Sequence, residues 1–276
     1  MALPDFELLA RADADATSGV RGRWRTLRRL VRRSLFDREV RNQTRFFCQN
    51  SGSCGSHYII DLLRENGVER VFHEKDPDLN EIGVQHFESP LPQSQLIQTL
   101  RYTRHNVFFE ANNRLFSLSQ ELATAFPNSK FIHLFRHPAN AVRSAMSKPN
   151  VVDYLETGVR FAGTLAGSSD QRPLERFCLY WKNVNQRILN DMEFLEQSGS
   201  SVIWLDFDDL ISGNVKTLES FMGCELGKIK RSPSHVGAVR NEGKFESFEQ
   251  WADVDRRALE EICLPLFETL RSKAAG

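Results

Sequence analysis

Lys130-Phe131-Ile132-His133-Leu134-Phe135-Arg136-His137-Pro138-Ala139-Asn140-Ala141-Val142-Arg143-Ser144 decides the fold. The apolar run Lys130 to Phe135 predicts a buried strand, Arg136 ends it, and Pro138 opens a helix at its first position. The arginine at the strand's end and Ser144 about two turns into the helix can converge on one anion. The planar guanidinium fork suits a phosphate, and the hydroxyl adds a donor beside it. The competing reading is an ordinary strand-to-helix junction with a solvated arginine.

A second stretch bears on that choice. Phe46-Phe47-Cys48 predicts another strand, and Asn50-Ser51-Gly52-Ser53-Cys54-Gly55-Ser56 follows it, leading into His57-Tyr58-Ile59-Ile60-Asp61-Leu62-Leu63. Small residues with two glycines between a strand and a helix can turn backbone amides toward a phosphate at the positive end of the helix dipole. The loop lacks the Gly-Lys-Ser/Thr of a Walker motif, which disfavours a nucleotide kinase. Gly-x-Gly-x-x-Gly cannot be laid on it either.

The rest of the chain alternates as a parallel sheet does. Strands are expected at 68–72, 106–110 and 201–206, and helices at 93–104, 114–125, 173–197 and 254–273. The expected class is α/β, with ligands bound at the carboxyl ends of the strands. The glycine- and serine-containing stretch 150–171 is read as an insertion able to cover an acceptor site.

Taken in order and spacing, these elements resemble the sulfotransferases that use 3'-phosphoadenosine 5'-phosphosulfate (PAPS). The resemblance runs from about Thr44 to Trp251 and includes the step from Arg136 to Ser144, the lead-in Phe126 to Ile132, the strand and acidic turn Trp204 to Leu210, and the late basic loop Arg240-Asn241-Glu242-Gly243-Lys244-Phe245. It implies a P-loop-NTPase-like parallel sheet flanked by helices, and a sulfuryl group moved from PAPS to a hydroxyl or amine of a carbohydrate, lipid or small molecule. The donor would be held by Asn50, Ser51, Gly52, Ser53, Cys54, Gly55, Ser56, Arg136, Ser144, Arg240 and Lys244. The family's first loop begins with Lys or Arg, whereas the candidate positions here carry Asn50 or Ser53. His57 on the first helical turn is the candidate substitute cation. A relative that binds the nucleotide without turnover is the alternative.

An acceptor hydroxyl must lose its proton, so a carboxylate or neutral histidine belongs near the sulfate. Glu110, at the expected end of the strand 106–110, is the first candidate base. Its competing reading is an acid paired with a nearby arginine. His86 is the second candidate. Asp206, Asp208 and Asp209 are read as capping the helix after the strand 201–206 and not as metal ligands. No metal is expected.

Composition fits one domain of this class. With 41% hydrophobic and 26% charged residues the chain is globular, and with 36 basic against 36 acidic residues no global field draws it to nucleic acid. Cys48, Cys54, Cys178, Cys224 and Cys263 are an odd set without a Cys-x-x-Cys pair, which favours a reducing compartment over a disulfide framework or zinc site. Neither a signal peptide nor a run of eighteen apolar residues is found, so a cytoplasmic chain is expected. Residues 1–41 are set apart from the domain 42–276. Within them, Arg21 to Arg41 interleaves nine arginines with Trp24, Leu27, Val31 and Leu35 at helical spacing. That basic amphipathic helix can lie on an anionic membrane surface, bind an acidic partner, or pack on the protein's own core.

Overall fold

The computed structural model describes residues 42–74, 92–147, 167, 170–227 and 247–276. The expectations for Arg21 to Arg41, for His86, for Arg240 and Lys244, and for nearly all of 150–171 lie outside them. The fold is that of the unit Thr44–Gly276.

Its chain order is β1 (Arg45–Gln49), α1 (Ser56–Glu65), β2 (Val71–His73), α2 (Gln93–Arg104), β3 (Phe109–Asn112), a 3₁₀ turn (Leu115–Ser117), α3 (Ser119–Ala125), β4 (Ser129–Phe135), α4 (Pro138–Met146), α5 (Pro173–Gln197), β5 (Ser201–Asp206), α6 (Phe207–Ile211), α7 (Lys216–Met222), a 3₁₀ turn (Phe248–Gln250) and α8 (Asp253–Ala275). The five strands form one sheet in the order β2-β3-β1-β4-β5. Every pairing is parallel. The α/β class, with a parallel sheet flanked by helices, is therefore as the sequence predicts.

Period-two alternation explains why apolar runs suffice for these strands, because helices cover both faces of the sheet. Phe46 and Cys48 point to the face packed by Ile59, Ile60 and Leu63 of α1 and by Leu210, Leu218 and Met222 of α6 and α7. Phe47 points the other way, its ring 5.8 Å from both Phe126 and Phe131. On that second face Phe135 meets Phe267 of α8 edge-on at 6.1 Å.

The topology also places the site. From β1 the chain moves toward the β2 edge of the sheet, and from β4 it moves toward β5. The carboxyl ends of the adjacent strands β1 and β4 flank the point where the winding reverses, which is where open parallel sheets leave a crevice. Both stretches singled out in the sequence, 50–56 and 136–144, start there.

Two strands fall elsewhere than the sequence predicts. β3 begins at Phe109, three residues later than expected, so Glu110 is its second residue and not its end. The amides of Phe108 and Phe109 both donate to the carbonyl of Arg70, and the ladder with β1 starts only at Phe46 opposite Phe109. β2 is a three-residue edge strand, and the helix expected over 114–125 is a 3₁₀ turn followed by the short α3. No helix among the described residues is long and apolar enough to cross a membrane.

Candidate active site at the carboxyl ends of β1 and β4

The loop after β1 is tightly wound. Gly52, Ser53 and Gly55 all have positive φ, of 79°, 55° and 87°. Gly55 caps α1, and a Cβ built on it would lie 2.0 Å from the ring of Phe207, so no other residue fits there. Asn50 is buried, and its Oδ1 accepts from the Gly52 amide at 2.9 Å. It closes the turn, as Asx side chains do. Helix α1 has neither a side-chain cap nor an acid in its first turn, so its positive end is not neutralised from within the helix.

Arg136 reaches this loop from β4. Its side chain is 14% exposed, its Nε is 3.7 Å from Asp208 Oδ1, and its Nη1 donates to the Ser53 carbonyl at 3.5 Å. Both contacts are at the long limit for such groups. Burial pushes its pKa below the ordinary arginine value, with Asp208 opposing. The guanidinium lies 5.0 Å from the centre of the Phe207 ring, the same ring that excludes a Cβ at Gly55. Phe207 therefore ties arginine and loop together, a role the sequence does not announce. His137 caps α4 by accepting the Ala139 amide at 3.3 Å, and Ser144 lies half-buried on that helix.

Asp206 caps α6 by accepting the Asp208 amide at 3.0 Å. Among the described residues no cluster of three or more His, Cys, Asp or Glu could hold a metal ion.

The expectation for Glu110 needs correction. Glu110 and Arg104 are both fully buried, and Glu110 Oε2 stands 2.6 Å from Arg104 Nε. Glu110 Oε1 also accepts from Asn112 Nδ2 at 3.4 Å. Glu110 is thus paired with an arginine and closed to solvent, a geometry that does not bring it to an acceptor. His57 is exposed on the first turn of α1.

Beside His57 lies a group that sequence reasoning missed. His73 ends β2, and its Nε2 is 2.9 Å from Ser56 Oγ. The rings of His57 and His73 stack with centroids 3.8 Å apart. Burial first, then His57 and Arg64, push the pKa of His73 down to about 4, with Asp61 opposing. It is thus uncharged at neutral pH. Seventeen residues separate Ser56 from His73, and no local pattern joins them; only the parallel crossover from β1 to β2 does.

A third histidine lies deeper. His133 is fully buried, its Nε2 is 2.9 Å from Asn185 Oδ1, and burial pushes its pKa down to about 4. The unfolded chain therefore takes up this proton more readily than the folded one. Stability is fully present above the ordinary histidine value, about 6.5, and is withdrawn as the pH falls toward about 4. Denaturation midpoints measured between pH 7.5 and 4 should fall, and His133→Gln should remove part of that slope; an unchanged slope would contradict the assignment.

No family model matches the sequence, and no curated protein matches it. Among solved structures the chain is similar to the sulfotransferase domain from the curacin biosynthetic pathway, at 16% identity and a TM-score of 0.46 over 85% of this chain and 98% of that one. It is similar to a sulfotransferase from Alicyclobacillus acidocaldarius at 13% identity and TM-score 0.42, over 83% of this chain and 99% of that one. It is similar also to the sulfotransferase domain of the Synechococcus PCC 7002 olefin synthase at 12% and 0.42, over 83% and 94%. At these values the likeness transfers no residue's role to this chain.

Proposed function

We propose that the chain is a PAPS-dependent sulfotransferase whose donor site spans the carboxyl ends of β1 and β4. One observation carries this reading: Arg136 is a mostly buried cation whose polar contacts among the described residues, to Ser53 and Asp208, are long, and it is aimed at the loop before the uncapped α1. A cation so placed, near the start of a helix without a side-chain cap, fits a ligand that carries two separate anionic groups. PAPS would supply the sulfuryl group. Arg136 and Ser144 would hold its 3'-phosphate, and the 50–56 loop its 5' end. His73, uncharged and bonded to Ser56, would take the proton of the acceptor hydroxyl in place of Glu110.

One observation favours a second reading. Residues 50–56 include no Lys or Arg, and Asn50 is turned onto the Gly52 amide. Binding of the nucleotide without turnover would then be the function, and a broad panel of alcohols and amines that gives no product despite tight nucleotide binding would select it.

Calorimetry tests the common core of both readings. Charge-assisted hydrogen bonds are worth roughly 1.5–3 kcal/mol each. Arg136→Ala should therefore weaken binding of adenosine 3',5'-bisphosphate by about tenfold or more and leave AMP binding nearly unchanged. Equal affinity of the unmodified protein for the two ligands would sink the 3'-phosphate assignment.

A further inference from the structure

Asn185, in the middle of α5, is fully buried and touches both the sheet and the loop. Its Nδ2 donates to the Trp181 carbonyl at 2.8 Å and to Ser51 Oγ at 3.1 Å. With both amide protons used, Oδ1 must accept, so the proton on His133 is at Nε2 and is given to Asn185 over 2.9 Å. His133 Nδ1 is left as a buried acceptor without a hydrogen-bond partner among the described residues. Ser51 Oγ, accepting from Asn185, is 3.3 Å from Cys54 Sγ. Cys54 in turn gives its proton to the Gly52 carbonyl at 3.0 Å. That leaves the Ser51 hydroxyl to donate to the sulfur. The chain of bonds therefore has one direction, from the core of β4 to the carbonyl of Gly52.

Its end point matters for anion binding. In a planar trans peptide the carbonyl and the following N–H point to opposite sides. Holding the Gly52 carbonyl toward Cys54 turns the Ser53 N–H away from the relay. Ser53 is also held at φ 55°, a conformation that an L-residue adopts only under constraint.

We propose that Asn185 is a positioning residue of the donor site: through Ser51 and Cys54 it fixes the Gly52–Ser53 peptide plane that presents the Ser53 N–H to the 5' anion of the nucleotide. This rests on the nucleotide reading above. The relay gives a reason for a buried asparagine on α5 facing a buried histidine on β4. Burying the Asn185 amide there is costly unless it is satisfied, and it is satisfied only with the loop in this shape.

The test uses the full chain, with adenosine 3',5'-bisphosphate and adenosine 3'-monophosphate as probes in calorimetry. The two ligands differ only at the 5' end. Asn185→Leu should lose about tenfold or more in affinity for the bisphosphate and less than about twofold for the 3'-monophosphate. Cys54→Ala should show the same pattern, whereas Cys54→Ser, whose hydroxyl can both accept from Ser51 and donate to Gly52, should stay within about threefold of the unmodified protein. A role in packing alone would not spare serine over alanine at a buried cysteine. Should Asn185→Leu fail to fold, the two Cys54 variants decide. Equal losses on both ligands, or Cys54→Ser as weak as Cys54→Ala, would overturn the relay. An unmodified protein that does not prefer the bisphosphate would instead overturn the site reading itself, and the relay's function with it.

Discussion

Glu110→Gln is expected to lower the unfolding free energy by about 3–5 kcal/mol, the usual consequence of removing one partner from a buried ion pair. The substitution keeps the shape of the side chain but takes away its charge. Arg104 then remains as a fully buried cation 2.6 Å from a neutral amide. The surroundings cannot relax to admit water. Phe109 and Leu100 beside the pair are completely buried, and the Arg104 main chain is tied down by Arg45, whose Nε donates to the Arg104 carbonyl at 3.3 Å and whose Nη2 donates to the His105 carbonyl at 2.9 Å. Arg104→Met should destabilise by a comparable amount, leaving the carboxylate without this cation. The double variant Arg104→Met, Glu110→Leu should recover most of the loss, because the penalty belongs to the uncompensated charge more than to the pair. Denaturant midpoints for the four proteins give the cycle directly. A Glu110→Gln protein as stable as the unmodified one would show that the pair contributes nothing, and would reopen a chemical role for the carboxylate.

Burial of Glu110 follows from a strand register that no local pattern carries. The apolar segments were legible: Phe46 to Cys48 and Lys130 to Phe135 mark the two adjacent central strands β1 and β4, and Ser201 to Asp206 marks the edge strand β5. The helices 93–104 and 173–197 were legible from apolar spacing and, in the second, from a proline at the start. The register of β3 was not. The apolar run Val107-Phe108-Phe109 predicts a strand ending at Glu110, yet pairing starts at Phe109 and carries on through Glu110, Ala111 and Asn112. What sets that register is β1 opposite it, and sixty-three residues separate Phe46 from Phe109, beyond any local pattern. Once the strand starts three residues later and ends two later, Glu110 moves from the rim of the sheet to its interior and a candidate base becomes half of an ion pair.

The same limit hid His73 and Asn185. Each is a single polar residue in an unremarkable context, and each acquires its meaning from a partner brought in by a crossover: Ser56 in the first case, His133 and Ser51 in the second. The two glycines of the loop were legible as punctuation, but the reason Gly55 must be glycine is Phe207, one hundred and fifty-two residues later.

The placement of His73 leads to the second large effect. If His73 takes the acceptor's proton, His73→Gln should reduce turnover by about 10²-fold or more while leaving affinity for adenosine 3',5'-bisphosphate within about twofold. Glutamine can still bond to Ser56 but cannot accept a proton at neutral pH, so a merely structural role would survive the change. The step is balanced within the site: the acceptor hydroxyl gives its proton to His73 Nε2, its oxygen bonds to sulfur, and the bond from sulfur to the phosphate oxygen breaks, its electron pair leaving with the bisphosphate. Ser56 now occupies Nε2 at 2.9 Å and must turn away, which the hydroxyl can do by rotating toward the anion held at the start of α1. His57 stacked on the ring, together with Arg64 nearby, disfavours the imidazolium, so His73 should release the proton to solvent promptly once transfer is complete. Because the pKa of His73 is pushed down to about 4, the rate should not fall with acid until the pH is well below the ordinary histidine value of about 6.5. Assays need an acceptor that works with the unmodified protein, and a mixed panel of phenols, sugar alcohols and long-chain alcohols is the starting probe. Normal turnover in His73→Gln would remove the role from His73. Turnover lost together with bisphosphate affinity would show instead that His73 shapes the donor loop through Ser56, and a calorimetric measurement on the same preparation separates the two.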